Sequence, residues 1–338
     1  MAFPSSFVNT RHGRRRAVPG NEPGTAVAVS ESTAPEVPLA AAEALVSEER
    51  LVAEVSELPA ATHARTPRAG RNLPAAIAVG LALVALLYGC IYVLPALFTP
   101  VVAIAVVIAT LEVANALEGA RLRVPSIPLL VASVGVVVSA WQYGASGLLV
   151  STIVGAIVLI MWRTTEATGL MALRDTVAGI FALLWVPFMA SFTILLMAQP
   201  NGANKVMFAL VVPIMNDTCG YAVGVLFGKH PMAPSISPKK SWEGFAGSLV
   251  GGIAAAGLIG HVWLPDIGFG WGLAFGAVMV VVSTIGDLSE SLLKRDLRIK
   301  DMGQLLPGHG GMMDRLDSML LTAPTVYILL AIVEAISG

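Results

Sequence analysis

Long apolar segments recur along this chain from Leu73 onward, and they constrain its fold more than any other feature. Each segment has about 17–25 mostly apolar residues, the length that an α-helix needs to cross roughly 30 Å of hydrocarbon. Composition agrees, since 56% of the 338 residues are hydrophobic and 13% are charged, whereas soluble domains carry about 25% charged residues. The sequence therefore predicts an all-α, polytopic integral membrane protein.

The basic residues test how many spans there are. Nine spans are predicted, beginning near residues 73, 99, 125, 146, 177, 205, 244, 268 and 319. With the N-terminus in the cytoplasm, only Lys205 of the 21 Lys and Arg residues falls on the outer side. Cytoplasmic loops carry an excess of Lys and Arg, so this pattern supports about nine transmembrane helices. We expect a multi-pass protein of the cell membrane whose active site faces the cytoplasm.

Residues 1–72 differ from the rest of the chain. They are rich in Ala, Pro, Glu, Ser and Arg and lack long apolar runs, so we expect a disordered cytoplasmic tail before a transmembrane domain at 73–338. Leucine and valine recur at helical spacing between Leu39 and Leu58, which indicates one short amphipathic helix. We expect the basic cluster at 11–16 to contact anionic membrane lipids, and we expect no nucleic-acid partner.

Polar residues that do not suit a lipid-facing helix concentrate within residues 205–320. Asp217 lies in the sixth span, where an ionised carboxylate costs roughly 2.5–3.5 kcal/mol at mid-membrane. We interpret it as functional, with a buried structural polar cluster as the alternative. Lys239 and Lys240 follow in a loop and could face an anionic substrate, although a generic cytoplasmic loop is also basic. Glu112, in the second span, is either functional or simply close to the inner membrane surface, and we favour the second interpretation.

Gly220, Gly224 and Gly228 place a small residue at every fourth position along the sixth span. In lipid, such a stripe lets two helices approach closely, so we interpret it as a helix-packing surface. The same stripe is also compatible with helix packing between two copies of the chain, as in a homodimer.

The densest polar cluster begins at the end of the eighth span. Asp287, Ser291, Lys294 and Arg298 are spaced by four, three and four residues, which predicts that they share one helical face. A carboxylate, a hydroxyl and two cations on one face suit a metal-bound phosphate. Ion pairs at a solvated helix end are the simpler alternative.

A glycine-rich loop and two carboxylates follow. Gly310 and Gly311 come directly after His309, and such a loop exposes backbone N–H groups as phosphate-binding loops do. Asp314 and Asp317 then lie three residues apart at the start of the last span. Helix capping accounts for one of them, whereas the pair together with the carboxylate of the preceding helix indicates a hard-cation site. Oxygen ligands of this kind favour Mg²⁺, and no His/Cys arrangement suggests zinc.

The segment from Ser291 to Asp317 resembles the signature of phosphatidate cytidylyltransferases, also called CDP-diacylglycerol synthases. The resemblance extends back through 286–288, 236–244 and 216–218, and it covers roughly residues 75–338. One departure is Gly224-Val225, where the family often has Gly-Arg. The signature positions are Ser291, Lys294, Arg295, Lys300, Asp301, Gly303, 306–311, Asp314, Arg315 and Asp317.

The resemblance implies an all-helical membrane enzyme that joins CTP to phosphatidic acid and releases pyrophosphate, with Mg²⁺ required and a second cation open. It implies that Asp287, Asp314 and Asp317 bind the metal. It also implies that Ser291 and Lys294 line the same site, and the other site residues are assigned by position and charge. The expected catalytic residues are Ser291, Lys294, Lys300, Asp301, His309 and Arg315, and the expected substrate-binding residues are Asp217, Lys239, Lys240, Arg295, Gly310 and Gly311.

Two other functions remain open from the residues alone. A transporter or channel for a phosphorylated solute or divalent cation would also have many spans and charged residues within them. Against it, the polar cluster lies on one side of the membrane, whereas an alternating-access site belongs near the midplane. The other alternative keeps the enzyme but changes the reaction, to a different lipid phosphate acceptor or to a CTP-dependent lipid kinase.

Overall fold

The structure is a computed structural model that describes residues 73–305 and 310–337. The predicted tail at 1–72, with its amphipathic helix, lies outside the described residues. A π-helical turn, Gly89–Val93, extends the helix Leu73–Tyr88, and another, Leu184–Phe188, contains Pro187 and joins Gly169–Leu183 to Met189–Met197. The described α-helices are α1 (Leu73–Tyr88), α2 (Phe98–Gly119), α3 (Ser126–Glu166), α4 (Gly169–Leu183), α5 (Met189–Met197), α6 (Gly202–Phe227), α7 (Trp242–Trp263), α8 (Gly268–Asp296) and α9 (Met313–Ser337).

Most of these helices are long and apolar enough to cross a membrane. Within the described part of the chain, seven helical segments meet that requirement by length and composition, and Ala78–Val93 is a shorter apolar helix. Helices α4 and α5 form one of the seven, Gly169–Met197. The predicted all-α polytopic fold is confirmed. The count of nine spans and the side on which the N-terminus lies stay predictions.

Helix α3 is a helical hairpin. Its 41 residues would extend about 60 Å if straight, twice the thickness of the hydrocarbon layer. Gly144 interrupts it with φ 63° and ψ −146°, a backbone conformation that favours glycine. The two arms lie side by side, because a Cβ atom on Gly155 would lie 3.0 Å from the Cβ atom of Ala132. The spans predicted to begin near residues 125 and 146 correspond to these arms.

Helices α6, α7 and α8 approach one another closely because glycines line their contacts. A Cβ atom on Gly220 would overlap Ser248 Oγ of α7, and one on Gly224 would lie 3.6 Å from Gly244 Cα. The glycine stripe of α6 therefore packs against α7, which confirms its predicted role in helix packing. A homodimer stays a prediction.

Replacing Gly276 with Ala is expected to destabilise the bundle by roughly 1–3 kcal/mol, the usual cost of overpacking. Gly276 of α8 is buried, and a Cβ atom there would lie 2.8 Å from Ile253 Cα, which is backbone and cannot rotate away. The measurement is the midpoint of thermal unfolding in detergent. The matched control is Gly135→Ala, since among the described residues nothing lies within 4 Å of a Cβ atom there. Equal midpoints for the two variants would contradict the packing argument.

A short β-hairpin, which the sequence did not predict, separates α6 from α7. Its strands are β1 (Pro231–Ala233) and β2 (Ser237–Ser241), paired antiparallel. The Glu243 side chain, in the first turn of α7, accepts the backbone N–H groups of Lys229 and His230 at 3.1 and 3.2 Å. The hairpin is thereby fixed to α7, and β2 carries both lysines of the predicted basic loop.

Candidate active site

A cavity of about 540 Å³ lies between α6, the β-hairpin, α7 and α8. Its polar lining includes Asn216, Asp217, Lys239, Lys240 and Asp287. The structure therefore brings together the sixth-span carboxylate, the basic loop and the first carboxylate of the predicted metal site. A larger cavity, about 790 Å³, lies between the arms of α3, but its lining side chains are uncharged and mostly apolar or small.

Opposite charges meet within the smaller cavity. Lys240 Nζ forms an ion pair with Asp287 Oδ2, which connects the β-hairpin to α8. Asn216 Nδ2 donates to Asp217 Oδ1 at 3.0 Å. The carboxylates of Asp217, Asp287 and Asp317 are close enough to interact electrostatically. Three carboxylates from three helices therefore share one anionic region, where the ammonium groups of Lys240 and Lys294 offset part of the negative charge.

The last turns of α8 carry much of the predicted polar face. Ser291 Oγ donates to Asp287 Oδ1 at 3.3 Å, one helical turn away. Lys294 Nζ donates to Asp314 Oδ1 at 3.0 Å and so joins α8 to α9. The prediction that Arg298 shares this face is wrong, because α8 ends at Asp296 and Arg298 has a left-handed φ of 57°.

Helix α8 ends in a motif that turns Arg298 away from the helical face. The N–H of Arg298 bonds to Arg295 O, and the N–H of Ile299 bonds to Lys294 O. These two bonds are the Schellman pattern, in which one left-handed residue reverses the chain and satisfies the last carbonyls. Arg298 occupies that left-handed position and therefore leaves the helical face.

Glu290 is a site residue that the sequence analysis missed. Its side chain is 0% exposed, and Lys294 Nζ donates to its Oε2 at 2.5 Å. Its other oxygen, Oε1, is buried without a hydrogen-bond partner among the described residues. The spacing of four residues to Lys294 is the signal that could have identified it.

The two carboxylates of α9 have different surroundings. Asp314 accepts hydrogen bonds from the backbone N–H groups of Met302, at 3.1 Å, and Gly311, at 2.8 Å. It therefore closes the loop before α9, as a capping carboxylate does. Asp317 Oδ1 accepts the N–H of Ser318 at 2.6 Å, and its carboxylate also interacts with Asp287. Asp317 is the α9 carboxylate that faces the anionic region.

The remaining predicted residues are Arg295, Lys300, Asp301, His309 and Arg315. Arg295 Nε donates to Ile236 O at 3.2 Å and so holds the β-hairpin against α8. Lys300, Asp301 and Arg315 are exposed. His309 lies outside the described residues. The roles predicted for these five residues in catalysis or substrate binding stay predictions.

The glycine loop has a tight geometry at its described end. Gly310 has φ 82°, and a Cβ atom there would lie 3.0 Å from Asp314 Oδ2. The N–H of Gly311 points at that same carboxylate rather than at open space. The predicted use of Gly310 and Gly311 in substrate binding stays a prediction.

Glu112 of α2 contacts the start of α9, which the favoured interpretation of a carboxylate close to the inner membrane surface did not include. It is 8% exposed, and it accepts the backbone N–H groups of Met312 at 3.0 Å and Met313 at 2.8 Å. An acidic residue in an otherwise apolar span was the available signal. Its partners, 200 and 201 residues away along the chain, could not be inferred from spacing.

The donor chemistry of the region suits a hard cation. Within the described residues, no three His, Cys, Asp or Glu side chains are gathered as a metal site. The carboxylates of Asp217, Asp287 and Asp317 nevertheless interact electrostatically. Asn216 Oδ1 is a further oxygen, buried without a partner among those residues. Oxygen donors of this kind are what Mg²⁺ prefers, so the residues present fit that ion.

Known proteins resemble this chain over most of its length. The sequence profile of the cytidylyltransferase family matches residues 74–333. Proteins named phosphatidate cytidylyltransferase from Mycobacterium bovis and Mycobacterium tuberculosis are 44% identical over 279 residues, which is 79% of this chain and 91% and 85% of theirs. The protein of that name from Mycobacterium leprae is 42% identical over 282 residues, covering 79% of this chain and 90% of its own. This transmembrane chain belongs to the cytidylyltransferase family.

Proposed function

We propose that this protein is a phosphatidate cytidylyltransferase, which converts CTP and phosphatidic acid into CDP-diacylglycerol and pyrophosphate. The carrying observation is the cavity where Lys239 and Lys240 meet the carboxylates of Asp217 and Asp287, inside the segment that matches the family. Membership of a cytidylyltransferase family favours an enzyme over the transporter considered from the residues alone.

The cavity suits both substrates. Lys239 and Lys240 supply positive charge for the triphosphate of CTP, and about 540 Å³ is within the range of small-molecule sites. Tyr221 and Val225 also line this cavity, and they are 75% and 65% exposed on the outer surface of α6. An apolar, open edge would let the acyl chains of phosphatidic acid stay in hydrocarbon while its phosphate reaches the lysines.

The chemistry is a direct phosphoryl-type transfer. A phosphate oxygen of phosphatidic acid attacks the α-phosphorus of CTP, a new P–O bond forms, and the bond to the β-phosphate oxygen breaks as pyrophosphate leaves. Alignment and charge neutralisation supply most of the acceleration, so no covalent enzyme intermediate is needed. Lys294, Lys300 and Arg315 would offset negative charge on the phosphates. A phosphate monoester is already nucleophilic near neutral pH, so His309 would bind phosphate or anchor its loop.

The residues that would hold Mg²⁺ are Asp287, Asp314 and Asp317, with Asp217 close by for a second cation. A bound divalent ion supplies charge neutralisation on phosphate oxygens in reactions of this type. Lys240 forms an ion pair with Asp287, and Lys294 forms ion pairs with both Asp314 and Glu290. These two ammonium groups hold the carboxylates in place.

We also propose that the site faces the cytoplasm, where CTP is made, in the cell membrane. The site lies among the basic loops, whereas Lys205 is at the other end of α6 from Asp217. There Lys205 Nζ donates to Gln199 Oε1 at 2.8 Å and lies 3.9 Å from Glu334 Oε1. The positive-inside rule then puts the cavity on the inner side.

The assay uses the purified full chain with phosphatidic acid, Mg²⁺ and CTP labelled at either the α- or the γ-phosphorus. We expect the α-label in a CDP-lipid and the γ-label in pyrophosphate, with no product when CTP is replaced by ATP. A γ-label that appears in the lipid would indicate a kinase. Product with another lipid phosphate but none with phosphatidic acid would change the acceptor. Solute flux into vesicles without nucleotide consumption would contradict the enzyme proposal altogether.

A further inference from the structure

The side chain of Glu112 is bonded through both oxygens to the start of the last helix. Oε1 accepts the N–H of Met312, and Oε2 accepts the N–H of Met313, at 3.0 and 2.8 Å. The first N–H groups of a helix have no partner within the helix, and methionine side chains cannot cap them. A carboxylate is also favoured at this end by the helix dipole. Glu112 of α2 therefore caps α9 from a distant part of the chain.

Two glycines make the space that this carboxylate fills. A Cβ atom on Gly303 would overlap Glu112 Oε1, and one on Gly311 would lie 2.5 Å from Glu112 Oε2. The Cβ atom on Gly311 would also lie 2.7 Å from Gly303 N, so the two backbone segments are adjacent. Any side chain at either position would displace the carboxylate. Glu112 is thus seated between two backbone segments that only glycine allows to come this close.

The segments that Glu112 holds are the ones that deliver the carboxylates of α9. Asp314 follows Met313 directly and accepts the N–H groups of Met302 and Gly311, which adjoin Gly303 and Met312 in the chain. Lys294 of α8 donates to the same Asp314. A displacement at the cap would therefore move Asp314 and, one turn further along α9, Asp317.

We propose that Glu112 is a positioning residue for cytidylyl transfer, which fixes the start of α9 so that Asp314 and Asp317 are held against Asp287 and Lys294. The proposal rests on the proposed function for its catalytic consequence. It assigns Gly303 and Gly311 a role in accommodating the Glu112 carboxylate.

Replacing Glu112 with Gln tests the proposal, because the amide keeps the size but has one accepting oxygen for two N–H groups. We expect kcat per folded molecule to fall by about 10–100-fold, as for residues that orient metal ligands. The KM values for CTP and phosphatidic acid should change by less than about two-fold, because the loss is in alignment rather than in substrate contact. The matched control is Glu118→Gln, the same change at an exposed position of α2, which should leave kcat unaltered.

The glycine pocket supplies an independent variant. Gly303→Ala should reproduce the kcat loss of Glu112→Gln, and the double variant should lose little more than either single variant, since both break the same contact. Fully additive losses would overturn the shared role. If Glu112→Gln has the wild-type kcat per folded molecule and only a lower thermal midpoint, Glu112 contributes to stability alone. That result would contradict its positioning role.

Hydrogen exchange separates this proposal from the proposed function. Without any substrate, the amides of Met312 and Met313 should exchange faster in Glu112→Gln than in the wild type, and those at the far end of α9 should not. Unchanged exchange at both amides would overturn the cap whatever the enzyme does. If the wild type forms no CDP-lipid but exchange still accelerates, the proposed function fails and the cap stands without its catalytic role.

Discussion

Replacing Asp317 with Asn is expected to lower kcat for CDP-lipid formation by about 10²–10³-fold, the usual effect of removing one preorganised electrostatic group. The change keeps the side chain nearly the same size and retains an oxygen that can accept the N–H of Ser318. It removes the charge that this position contributes to the region shared with Asp217 and Asp287. The measurement is the turnover of labelled CTP into lipid by purified protein.

Asp317 tests the metal-ligand assignment more cleanly than Asp314 does. Asp314→Asn should also abolish product formation, but Asp314 accepts hydrogen bonds from Lys294, Met302 and Gly311, so stability falls with it. The control for Asp317→Asn is Asp266→Asn, which makes the same chemical change at an exposed position between α7 and α8. Full turnover by Asp317→Asn would refute its assignment to the metal site.

Replacing Lys294 with Met is expected to destabilise the protein by roughly 3–5 kcal/mol, the cost of leaving a buried charge without its partner. Lys294 Nζ donates to Glu290 Oε2 at 2.5 Å, and the Glu290 side chain is 0% exposed. Removing the ammonium leaves two carboxylates, Glu290 and Asp314, close together. The measurement is the midpoint of thermal unfolding in detergent.

A second substitution separates stability from catalysis. Lys294→Met combined with Glu290→Gln should recover most of the midpoint, because the fully buried charge of Glu290 is gone and Asp314 keeps its hydrogen bonds from Met302 and Gly311. Its kcat should stay low, because the proposed positive charge beside the phosphates is still absent. A single Lys294→Met variant with the wild-type midpoint would show that Glu290 does not depend on this partner.

The helical bundle was predictable because hydrophobic length is a local property of the sequence. Most helices begin within a few residues of the predicted spans, and the packing role of Gly220 and Gly224 followed from their period of four. The β-hairpin was not predictable, since Pro231–Ala233 and Ser237–Ser241 lack the alternating apolar pattern of strands. Its base is fixed to α7 by hydrogen bonds from Lys229 and His230 to Glu243, contacts that the strand pattern could not reveal.

The candidate site was predictable where its residues share a helix or a short segment. The contact of Ser291 with Asp287 follows from helical spacing. Lys239 and Lys240 lie in the loop that follows the span of Asp217, so their place beside that carboxylate could also be inferred from the order of the chain. The prediction that Arg298 shares this helical face is wrong for a local reason, since residue spacing cannot show that the helix ends two residues earlier. Glu112 was missed for the opposite reason, because its partners come from a loop 200 residues away.

The hairpin of α3 bears on how this protein enters a bilayer. Between Ser126 and Trp162 the sequence contains no Asp, Glu, Lys or Arg, so the bend at Gly144 has no charge to hold it on either side. The nearest basic residues, Arg123 and Arg163, flank the two arms on the side where both arms end. Neither arm carries an orientation signal at both ends. By the positive-inside rule, the two arms are therefore oriented as a pair from one end, with the bend at Gly144 on the side opposite Arg123 and Arg163.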